Sequence, residues 1–348
     1  MSCDIRRIEP RPSPRSAATQ RWSRSSRKRK RGFTLLELMI AMTIGLFLLG
    51  TLALVLFNNS RTRYELEKSI GQIQNARYAL QVLSDDLANA GFYAETKPEN
   101  LNATGPICLD IDDLDENPLP VAVLGLNNIK SANRPGCAPE ALEDMDVLTV
   151  RRASSCSVGT DGCDVFLTGL PHIQKSGCNP SEQPQIKTTR EAFNGTVPPC
   201  DATTPTSAPI YRLLSHVYYL RNITVSSQAV PTLMRAELTA DGYQSIPIAE
   251  GIEHLHFEYG IDTNDNGEPN EYQTANDITE TNWSNVVAVR VYLIARNLKP
   301  TNGYQDDRTY QLGTQPVTPD DNDKRFKRQA YSTTIRLNNI AGSRENST

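Results

Sequence analysis

One carboxylate interrupts an otherwise uncharged apolar run near the start of this chain. Glu37 is the only charged residue among the 25 residues from Phe33 to Phe57. As a helix this run would be roughly 38 Å long, enough to cross a hydrocarbon core of about 30 Å with some tilt. A carboxylate inside a bilayer is costly unless it pairs with a cation, so such acids generally mark function. A simpler alternative is that Glu37, near the helix end, reaches back to the lipid headgroups.

The string RGFTLLE occupies residues 31–37 and is followed directly by the apolar run. This arrangement resembles the processing site of type IV prepilins and type II secretion pseudopilins. The resemblance implies that a membrane peptidase cleaves between Gly32 and Phe33 and that the new amino terminus of Phe33 is N-methylated. It also implies that Glu37 neutralises the terminal amine of a neighbouring subunit inside a filament. A buried ammonium and a buried carboxylate are each costly alone and tolerable together, which agrees with that role.

No arrangement of residues predicts an enzyme. The chain has four histidines, and only His254 and His256 are close in sequence, on one face of a predicted strand. Two histidines at this spacing can bind a metal, although an exposed strand face explains them more simply. The sequence has no G-x-S-x-G nucleophile motif and no glycine-rich phosphate loop. Cysteines that are oxidised would leave no Cys–His nucleophile, so we expect a non-enzymatic protein.

A run of oxygen-bearing side chains from Asp262 to Asn266, followed by Gly267, matches the first half of a calcium-binding loop. Such loops direct the side-chain oxygens of alternate residues onto one cation, and a glycine at the sixth position allows a sharp turn. The twelfth position is Gln273 instead of a bidentate glutamate, and strands instead of helices should flank the loop. A polar hairpin loop is the alternative, because Asp, Asn and Gly are common turn residues. The candidate ligands are Asp262, Asn264, Asn266 and Glu268, with Glu271 as a substitute.

Six of the seven cysteines are concentrated between residues 108 and 200, and the seventh is Cys3. An even set of cysteines in an exported segment predicts disulfides. Six cysteines allow 15 pairings, and we prefer sequential pairing because short loops close most readily. Zinc is the alternative, although the sequence has no C-x-x-C pair. The candidate disulfide cysteines are Cys108, Cys137, Cys156, Cys163, Cys178 and Cys200.

Charge is distributed unevenly along the chain. Residues 1–32 contain eleven lysines and arginines against Asp4 and Glu9, whereas residues 33–348 contain 25 basic and 38 acidic residues. Basic flanks of a membrane span stay on the cytoplasmic side, so we expect the acidic bulk to be exported. A nucleic-acid-binding arm is the competing interpretation of the arginine-rich start. We expect the leader 1–32 to be removed on processing, which argues against nucleic acid as a partner and excludes the leader from the mature fold.

The hydrophobic pattern predicts that the helix continues beyond the membrane span. Residues 60–90 lack proline, and their apolar residues recur at three- and four-residue steps, which places them in one stripe on a helix. Gly91 then favours the left-handed conformation that ends many helices. We predict one helix from about Thr34 to Ala90, with a transmembrane half (33–57) and an amphipathic half (58–91) that packs under a globular domain; the alternative is a break at Asn58. The stripe comprises Leu66, Ile70, Ile73, Leu80, Leu83, Leu87 and Ala90.

The remainder of the chain predicts two segments of different character and an α+β fold. Residues 92–208 accumulate Pro, Gly, Asn, Asp and Cys and predict a loop-rich periplasmic insertion. From 209 to 348, alternating runs separated by turn residues predict strands without a βαβ rhythm, and hence an antiparallel β-sheet domain. The predicted strands are Ile210–Leu220, Thr232–Leu238, Ile252–Tyr259, Val286–Ala295 and Ala330–Leu337.

Several strings outside the cysteine-rich segment are distinctive, and they include LSDDLANAGFY at 83–93, YRLLSHVYYLRN at 211–222 and WSNVVAVRVYLIAR at 283–296. These strings resemble the PilW-like minor pilins of type IV pili. The resemblance implies a pilin-like fold, in which the long amino-terminal helix packs on an antiparallel β-sheet domain that carries the insertion. It also implies a non-enzymatic role in pilus assembly, by helix packing in a small minor-pilin complex that primes assembly and sits at the pilus tip.

The resemblance implies partners and a location as well. The partners are other minor pilins, the major pilin, the prepilin peptidase and the inner-membrane assembly platform. The protein would span the inner membrane once, with a periplasmic carboxyl-terminal domain, and would then enter the extracellular filament. A J-type pseudopilin of type II secretion is the close alternative, and a membrane-tethered or pilus-tip adhesion module is an alternative of another class. Calcium is the one cofactor candidate.

Overall fold

The structure is a computed structural model that describes residues 32–94, 96, 105–111, 114, 119–179, 181–225 and 227–345. The predicted leader, with its basic run and Cys3, lies outside these residues apart from Gly32. The chain divides into two compact units, Met1–Ser60 and Arg61–Thr348. The described part of the first unit contains the start of a long helix. The second unit contains the rest of that helix, two main sheets and a short carboxyl-terminal helix.

Helix α1 spans Leu35–Ala88 without interruption. This confirms the prediction of a single long helix, and there is no break at residues 58–59. No proline occurs in the helix, so every N–H after the first turn can donate to a carbonyl one turn earlier. Beyond its end, Gly91 adopts a φ of 74°, which a residue with a side chain rarely does. The Gly91 N–H donates to the carbonyl of Arg151 at 3.0 Å and ties the end of the helix to the first sheet.

Fifteen strands follow α1 in the described residues, and all of their pairings are antiparallel, as predicted. They are β1 (Val123–Leu126), β2 (Val147–Ser157), β3 (His172–Gln174), β4 (Gln185–Lys187), β5 (Thr196–Val197), β6 (Thr206–Ser207), β7 (Ile210–Val225), β8 (Gln228–Thr239), β9 (Gly242–Glu250), β10 (Ile252–Ile261), β11 (Glu271–Gln273), β12 (Val286–Arg296), β13 (Tyr310–Leu312), β14 (Gln315–Val317) and β15 (Arg328–Arg336).

The first sheet has seven strands and is built around β7. Tyr218 of β7 pairs with Leu148 of β2 on one edge and with Arg235 of β8 on the other. Tyr211, near the start of β7, pairs with Ser157 of β2 on one side and with Ile173 of β3 on the other. β3 therefore lies on the same side of β7 as β8. β1, β4 and β9 extend the sheet outward from β2, β3 and β8.

The second sheet has four strands in the order β11, β10, β12, β15. β12 is central and pairs with β10 along its length and with all nine residues of β15. Two small hairpins, β5–β6 and β13–β14, pair with neither main sheet, and β13–β14 packs on the second sheet through Tyr310, Leu312 and Val317 against Ile294. After β15 the chain forms helix α2, Asn338–Glu345.

The main core lies between α1 and both main sheets. Ala76, Ala79, Leu83 and Leu87 of α1 are fully buried, and their spacing of three and four residues places them on one face. Burying a leucine side chain stabilises the fold by about 2 kcal/mol. The strand residues of this core include Val123, Leu148, Tyr218 and Leu220 of the first sheet and Leu255, Phe257, Tyr259, Val289 and Val291 of the second.

The predicted apolar stripe of α1 is buried only in its later part. Leu83 and Leu87 are fully buried, whereas Leu66 is 58% and Ile70 44% exposed. The packing on the second sheet begins near Gln72, whose amide donates to the Ala295 carbonyl at 2.6 Å. The prediction that the whole stripe packs under the domain is therefore wrong for Leu66 and Ile70, although Glu65 and Lys68 in the same part of the helix contact Thr301.

The segment 92–208 differs from the predicted loop-rich insertion. It contains β1 to β4, which join the first sheet directly or through a neighbouring strand. The 11-residue strand β2 begins with five buried residues in succession, so it shows no alternation of apolar and polar residues. A strand buried on both faces lacks that alternation, which explains why the sequence pattern did not reveal it. Residues 92–208 and 209–348 thus contribute to one sheet and are not separate in the structure.

Three disulfides connect cysteines that are adjacent in sequence order. They join Cys108 to Cys137, Cys156 to Cys163, and Cys178 to Cys200, with Cα–Cα distances of 5.6, 5.7 and 5.5 Å. This is the sequential pairing that loop closure favours. Because all six cysteines between residues 108 and 200 are paired, none of them is left to ligate zinc.

Candidate functional site

Gly32 and Phe33, the predicted cleavage site, lie just before α1 and are exposed. The Phe33 side chain is 85% exposed, and no atom lies within 4 Å of the position that a Gly32 Cβ would occupy. Neither residue is part of the helix. Non-helical, exposed backbone is the kind of segment that a protease can reach. Cleavage here and methylation of Phe33 remain predictions.

Thr34 and Glu37 cap the start of α1 reciprocally. The Glu37 N–H donates to Thr34 Oγ1 at 3.2 Å, and Glu37 Oε2 accepts from the Thr34 N–H at 3.4 Å and from its hydroxyl at 3.5 Å. This T-x-x-E capping box satisfies N–H groups that have no acceptor within the helix. The negative charge also lies at the positive end of the helix dipole. Glu37 therefore acts within its own chain, a role that the T-x-x-E spacing could have revealed in the sequence.

The helix segment after the capping box is apolar on all sides. Every large apolar side chain from Phe33 to Phe57 is at least half exposed. Soluble monomers rarely expose apolar patches larger than a few hundred Å². Within the described residues, α1 is the one helix that is long and apolar enough to cross a membrane. This surface needs lipid or other helices to cover it.

Asp86, on the buried face of α1, anchors the helix to the first sheet. Its Oδ1 accepts from Arg152 Nε at 2.7 Å, and its Oδ2 accepts from the Tyr218 hydroxyl at 3.0 Å and lies 2.7 Å from His216 Nδ1. Burial by itself raises the pKa of Asp86, but His216 and Arg152 outweigh it and hold the pKa at about 2. A buried carboxylate with three hydrogen-bonding partners resists separation from them, so this cluster fixes α1 against β2 and β7.

Two asparagines of α2 complete the carboxyl-terminal end of α1. Asn338 Nδ2 donates to the Ala88 carbonyl at 3.2 Å, and Asn339 Nδ2 donates to the carbonyls of Asn89 and Ala90, each at 3.2 Å. Carbonyls at a helix end have no partner within the helix and must be satisfied from elsewhere. The end of the chain therefore stabilises the end of the long helix, some 250 residues earlier in sequence.

The two strand histidines that could have bound a metal have different surroundings. His256 is 3% exposed, and its Nδ1 lies 2.8 Å from Asp146 Oδ2. The same oxygen accepts from the Phe257 N–H at 2.9 Å, which joins the start of β2 to β10. The expectation of an exposed strand face is wrong for His256, because Asp146 and the stacked ring of Tyr292 on β12 cover it. Burial lowers the pKa of His254, and the described residues contain no cluster of three or more potential metal ligands.

Asp262 organises the predicted calcium loop through backbone hydrogen bonds. Its Oδ1 accepts from the N–H groups of Asn264 at 3.2 Å and Asn266 at 3.3 Å, and its Oδ2 accepts from Gly267 at 2.9 Å. Burial raises the pKa of Asp262, but these three donors outweigh it, and the net pKa is lowered. The carboxylate thus stabilises a turn.

The donor set of this loop does not fit calcium. Arg344 of α2 has its Nη1 3.5 Å from Asp262 Oδ2 and 2.5 Å from Asp265 Oδ1. The guanidinium therefore supplies positive charge where a cation was predicted, and a divalent ion would be repelled by it. In addition, Asn266 Oδ1 accepts from the Glu268 N–H at 2.9 Å and is directed into the loop's own backbone. The alternative of a polar hairpin loop agrees with these contacts.

Two family models match the chain, one at each end. The model described as Prokaryotic N-terminal methylation motif matches residues 27–53, and the model described as Type IV Pilus-assembly protein W matches residues 217–339. The first contains the predicted cleavage site and Glu37, and the second extends from β7 into α2. Together the two matches support a type IV pilus minor pilin of the PilW family. Pilin families are structural, which agrees with the absence of a catalytic motif in the sequence.

One solved structure similar to this minor pilin is a type IV-like pilin from Thermus thermophilus. The two chains are 10% identical, the match covers 77% of this chain and 96% of the other, and the TM-score is 0.36. This likeness is too distant to carry a structural conclusion. No curated protein matches the minor pilin at a significant level.

The sequence predicted the amino-terminal site residues, which stay predictions, but not the residues that anchor α1 to the first sheet. Asp86 gave a usable signal, because it lies beside Leu83, Leu87 and Ala90 on the otherwise apolar face of α1. An acid on such a face requires a buried partner. Asn338 gave no comparable signal, since its contact with α1 arises only from the folded path of the chain.

Proposed function

We propose that this minor pilin enters the inner membrane through residues 33–57, is cleaved between Gly32 and Phe33 and N-methylated at Phe33, and then moves into a pilus by helix packing. One observation carries this proposal. Glu37 is the only charged group in an exposed apolar helix segment, and it lies one turn after the predicted new amino terminus. A plain membrane anchor needs only the apolar run and gains nothing from a carboxylate.

The proposed partner of Glu37 is the amino-terminal ammonium of a neighbouring subunit. The capping contacts use Oε2, and no contact is recorded for Oε1 in the described part of the chain, so a second donor can approach that oxygen. A cation at a helix amino terminus is disfavoured by the helix dipole, and a nearby carboxylate offsets that cost. Among apolar helices the ion pair is tolerable, whereas either charge alone is costly.

The proposal extends to location and partners. The leader 1–32 stays cytoplasmic until it is removed, residues 33–57 hold the protein in the bilayer, and the acidic ectodomain faces the periplasm. Other minor pilins and the major pilin contact the exposed segment of α1 in a complex that primes assembly and sits at the pilus tip. The prepilin peptidase and the inner-membrane assembly platform act on the chain before assembly. The protein has no catalytic role.

Two substitutions separate the charge of Glu37 from its capping role. Glu37→Gln preserves the capping box, because glutamine also serves at this position, but removes the charge. Glu37→Ala removes both. If the carboxylate pairs with an amine, both variants should insert into the membrane normally and should be depleted from sheared pili by at least about tenfold.

The measurement is the ratio of this protein in sheared pili to that in the inner membrane, by immunoblot. Normal incorporation of Glu37→Gln with loss of Glu37→Ala would assign the residue to capping alone. Normal incorporation of both would refute the proposed role. A deletion strain scored for surface pili and for secreted enzymes distinguishes pilus assembly from type II secretion, since loss of secretion with normal pili would contradict the pilus role.

A further inference from the structure

β15 forms a free edge of the second sheet. It pairs with β12 from Arg328 to Arg336, and no other strand pairs with its far side in the described residues. The register has no shift, so the strand is regular along its length. From Gln329 to Ile335 it contains no charged residue and no proline. A regular, uncharged edge is a template for another strand.

The hydrogen bonds at the two ends of this strand pair show which backbone groups point outward. The Leu337 N–H donates to the Val287 carbonyl at 2.8 Å, and the Asn297 N–H donates to the Lys327 carbonyl at 3.0 Å. Both pairs continue the β12–β15 register, and hydrogen-bonded pairs alternate along an antiparallel ladder. Odd-numbered residues of β15 therefore bond to β12. The even-numbered residues therefore point their N–H and C=O groups away from β12, and the uncharged ones among them are Ala330, Ser332 and Thr334.

These outward groups have no partner within the described chain. All three residues are exposed, and none of their N–H or C=O groups makes a recorded hydrogen bond. The edge is closed only at its start, where the Arg328 carbonyl accepts from the Tyr310 hydroxyl at 3.3 Å and from Arg308 Nη2 at 3.2 Å. Three backbone donors and three backbone acceptors therefore lack a hydrogen-bonding partner. They belong to alternate residues, which lie roughly 6.8 Å apart along the strand.

Four other edge strands of the two main sheets carry features that oppose strand pairing. β9 contains Pro247 and a register shift beside it. β1, β4 and β11 are only three or four residues long. Short strands, prolines and bulges are the usual protection of a sheet edge. β15 has none of these, so its open edge has a different cause.

The position of β15 beside α1 indicates what can meet this edge. Tyr331 packs against the main core under α1, and burial raises its pKa while the charge of Arg77 on α1 lowers it. On the same helix Ile70 is 44% and Tyr78 54% exposed. A second pilin whose helix packs along these residues would place its own ectodomain beside β15.

We propose that the edge of β15 pairs with an extended strand of a neighbouring, different pilin, which adds a strand to the second sheet. This inference rests on the proposed function. The N–H and C=O groups of Ala330, Ser332 and Thr334 bond to the backbone of the incoming strand, and an uncharged strand fits because residues 329–335 offer no charge. Neighbouring subunits of a helical filament make heterologous contacts, so in the pilus β15 meets another surface and not a second β15.

A photo-crosslinking residue at Thr334 of the full-length protein in cells tests the proposal. Ser332→Pro removes an outward N–H but no hydrogen bond to β12, a position at which an edge strand tolerates proline. Ser332→Ala keeps the N–H and is the matched control. We expect a crosslinked product with another pilin, identified by its peptides, that is normal in Ser332→Ala and about tenfold weaker in Ser332→Pro. A crosslinking residue at Gln244 on β9 should give no such product.

Three results would overturn the proposal: no pilin product from Thr334, a product that Ser332→Pro leaves unchanged, or a product that contains only a second copy of this chain. Protein level and non-reducing gel mobility establish that the variants fold. If Ser332→Pro does not accumulate, Ala330→Pro can be used in its place, because it removes a different outward N–H. Counting pili in the same strains distinguishes the strand-pairing proposal from the proposed pilin function. Normal pili without the crosslink would refute strand pairing but would not contradict the pilin function.

Discussion

Asp86 of α1 and His216 of β7 are 130 residues apart in sequence, and Asp86 Oδ2 lies 2.7 Å from His216 Nδ1. Arg152 and Tyr218 contact the same carboxylate, so one side chain of the helix holds two strands of the first sheet. The exposed apolar part of α1 belongs to the same continuous helix. This buried cluster is therefore one of the contacts that keep the ectodomain on α1.

Replacing Asp86 should weaken the ectodomain and change its response to acid. The pKa of Asp86 is about 2 in the folded protein, and that of an unfolded aspartate is about 3.9. Its contribution is therefore fully present above about pH 4 and is lost as the pH falls toward 2. Asp86→Asn should lower the free energy of unfolding at pH 7 by about 2 kcal/mol and should flatten the acid dependence between pH 4 and 2.

Urea unfolding of the full chain in detergent, followed by near-UV circular dichroism at several pH values, measures this effect. Asp85→Asn is the control, because Asp85 is the adjacent residue and is exposed. Equal losses in the two variants, or an unchanged acid profile in Asp86→Asn, would show that the cluster does not stabilise the fold.

The three disulfides should contribute unequally. Removing Cys108–Cys137, which joins residues 29 positions apart, should cost about 3.5 kcal/mol by loop-closure entropy. Removing Cys156–Cys163, with a separation of 7, should cost about 2.5 kcal/mol by the same relation. Paired Cys→Ala variants of each bridge, compared by urea unfolding, check the order. A larger loss from the short loop would indicate that native contacts, and not loop closure, set the effect.

The Asp262 loop should be stabilised by Arg344 and should not respond to calcium. Millimolar calcium should leave the melting temperature of the protein unchanged. Asp262→Ala should lower the free energy of unfolding by about 2 kcal/mol, because it leaves backbone donors and a guanidinium without their acceptor. Since the pKa of Asp262 is lowered on folding, its contribution is present above about pH 4 and is lost in acid.

Glu268→Ala is the matched control for this loop, since only the backbone N–H of Glu268 has a recorded contact there. It should be neutral. A calcium-dependent rise in melting temperature that disappears in both variants would restore the calcium interpretation.

Local patterns predicted some elements well and others poorly. The strand predicted at Ile252–Tyr259 corresponds to β10, Ile252–Ile261, and that at Val286–Ala295 corresponds to β12, Val286–Arg296. Apolar, β-branched and aromatic runs bounded by turn residues identify such strands. β9, Gly242–Glu250, was not predicted, because its middle is exposed on both faces and lacks a hydrophobic pattern. β2 was missed for the opposite reason, since both of its faces are buried.

The sequence alone determined the amino-terminal part of this protein. The apolar run after Gly32, with Glu37 as its single charged residue, can be recognised from residues that are neighbours in sequence. The same holds for the helical pattern that continues to Ala90. The tertiary structure decided which polar groups are satisfied and which are open. Asp86 meets His216, Arg344 meets Asp262, and β15 keeps a free edge. These relationships join residues far apart in sequence, where packing of the sheets, and not local spacing, sets the distances between atoms.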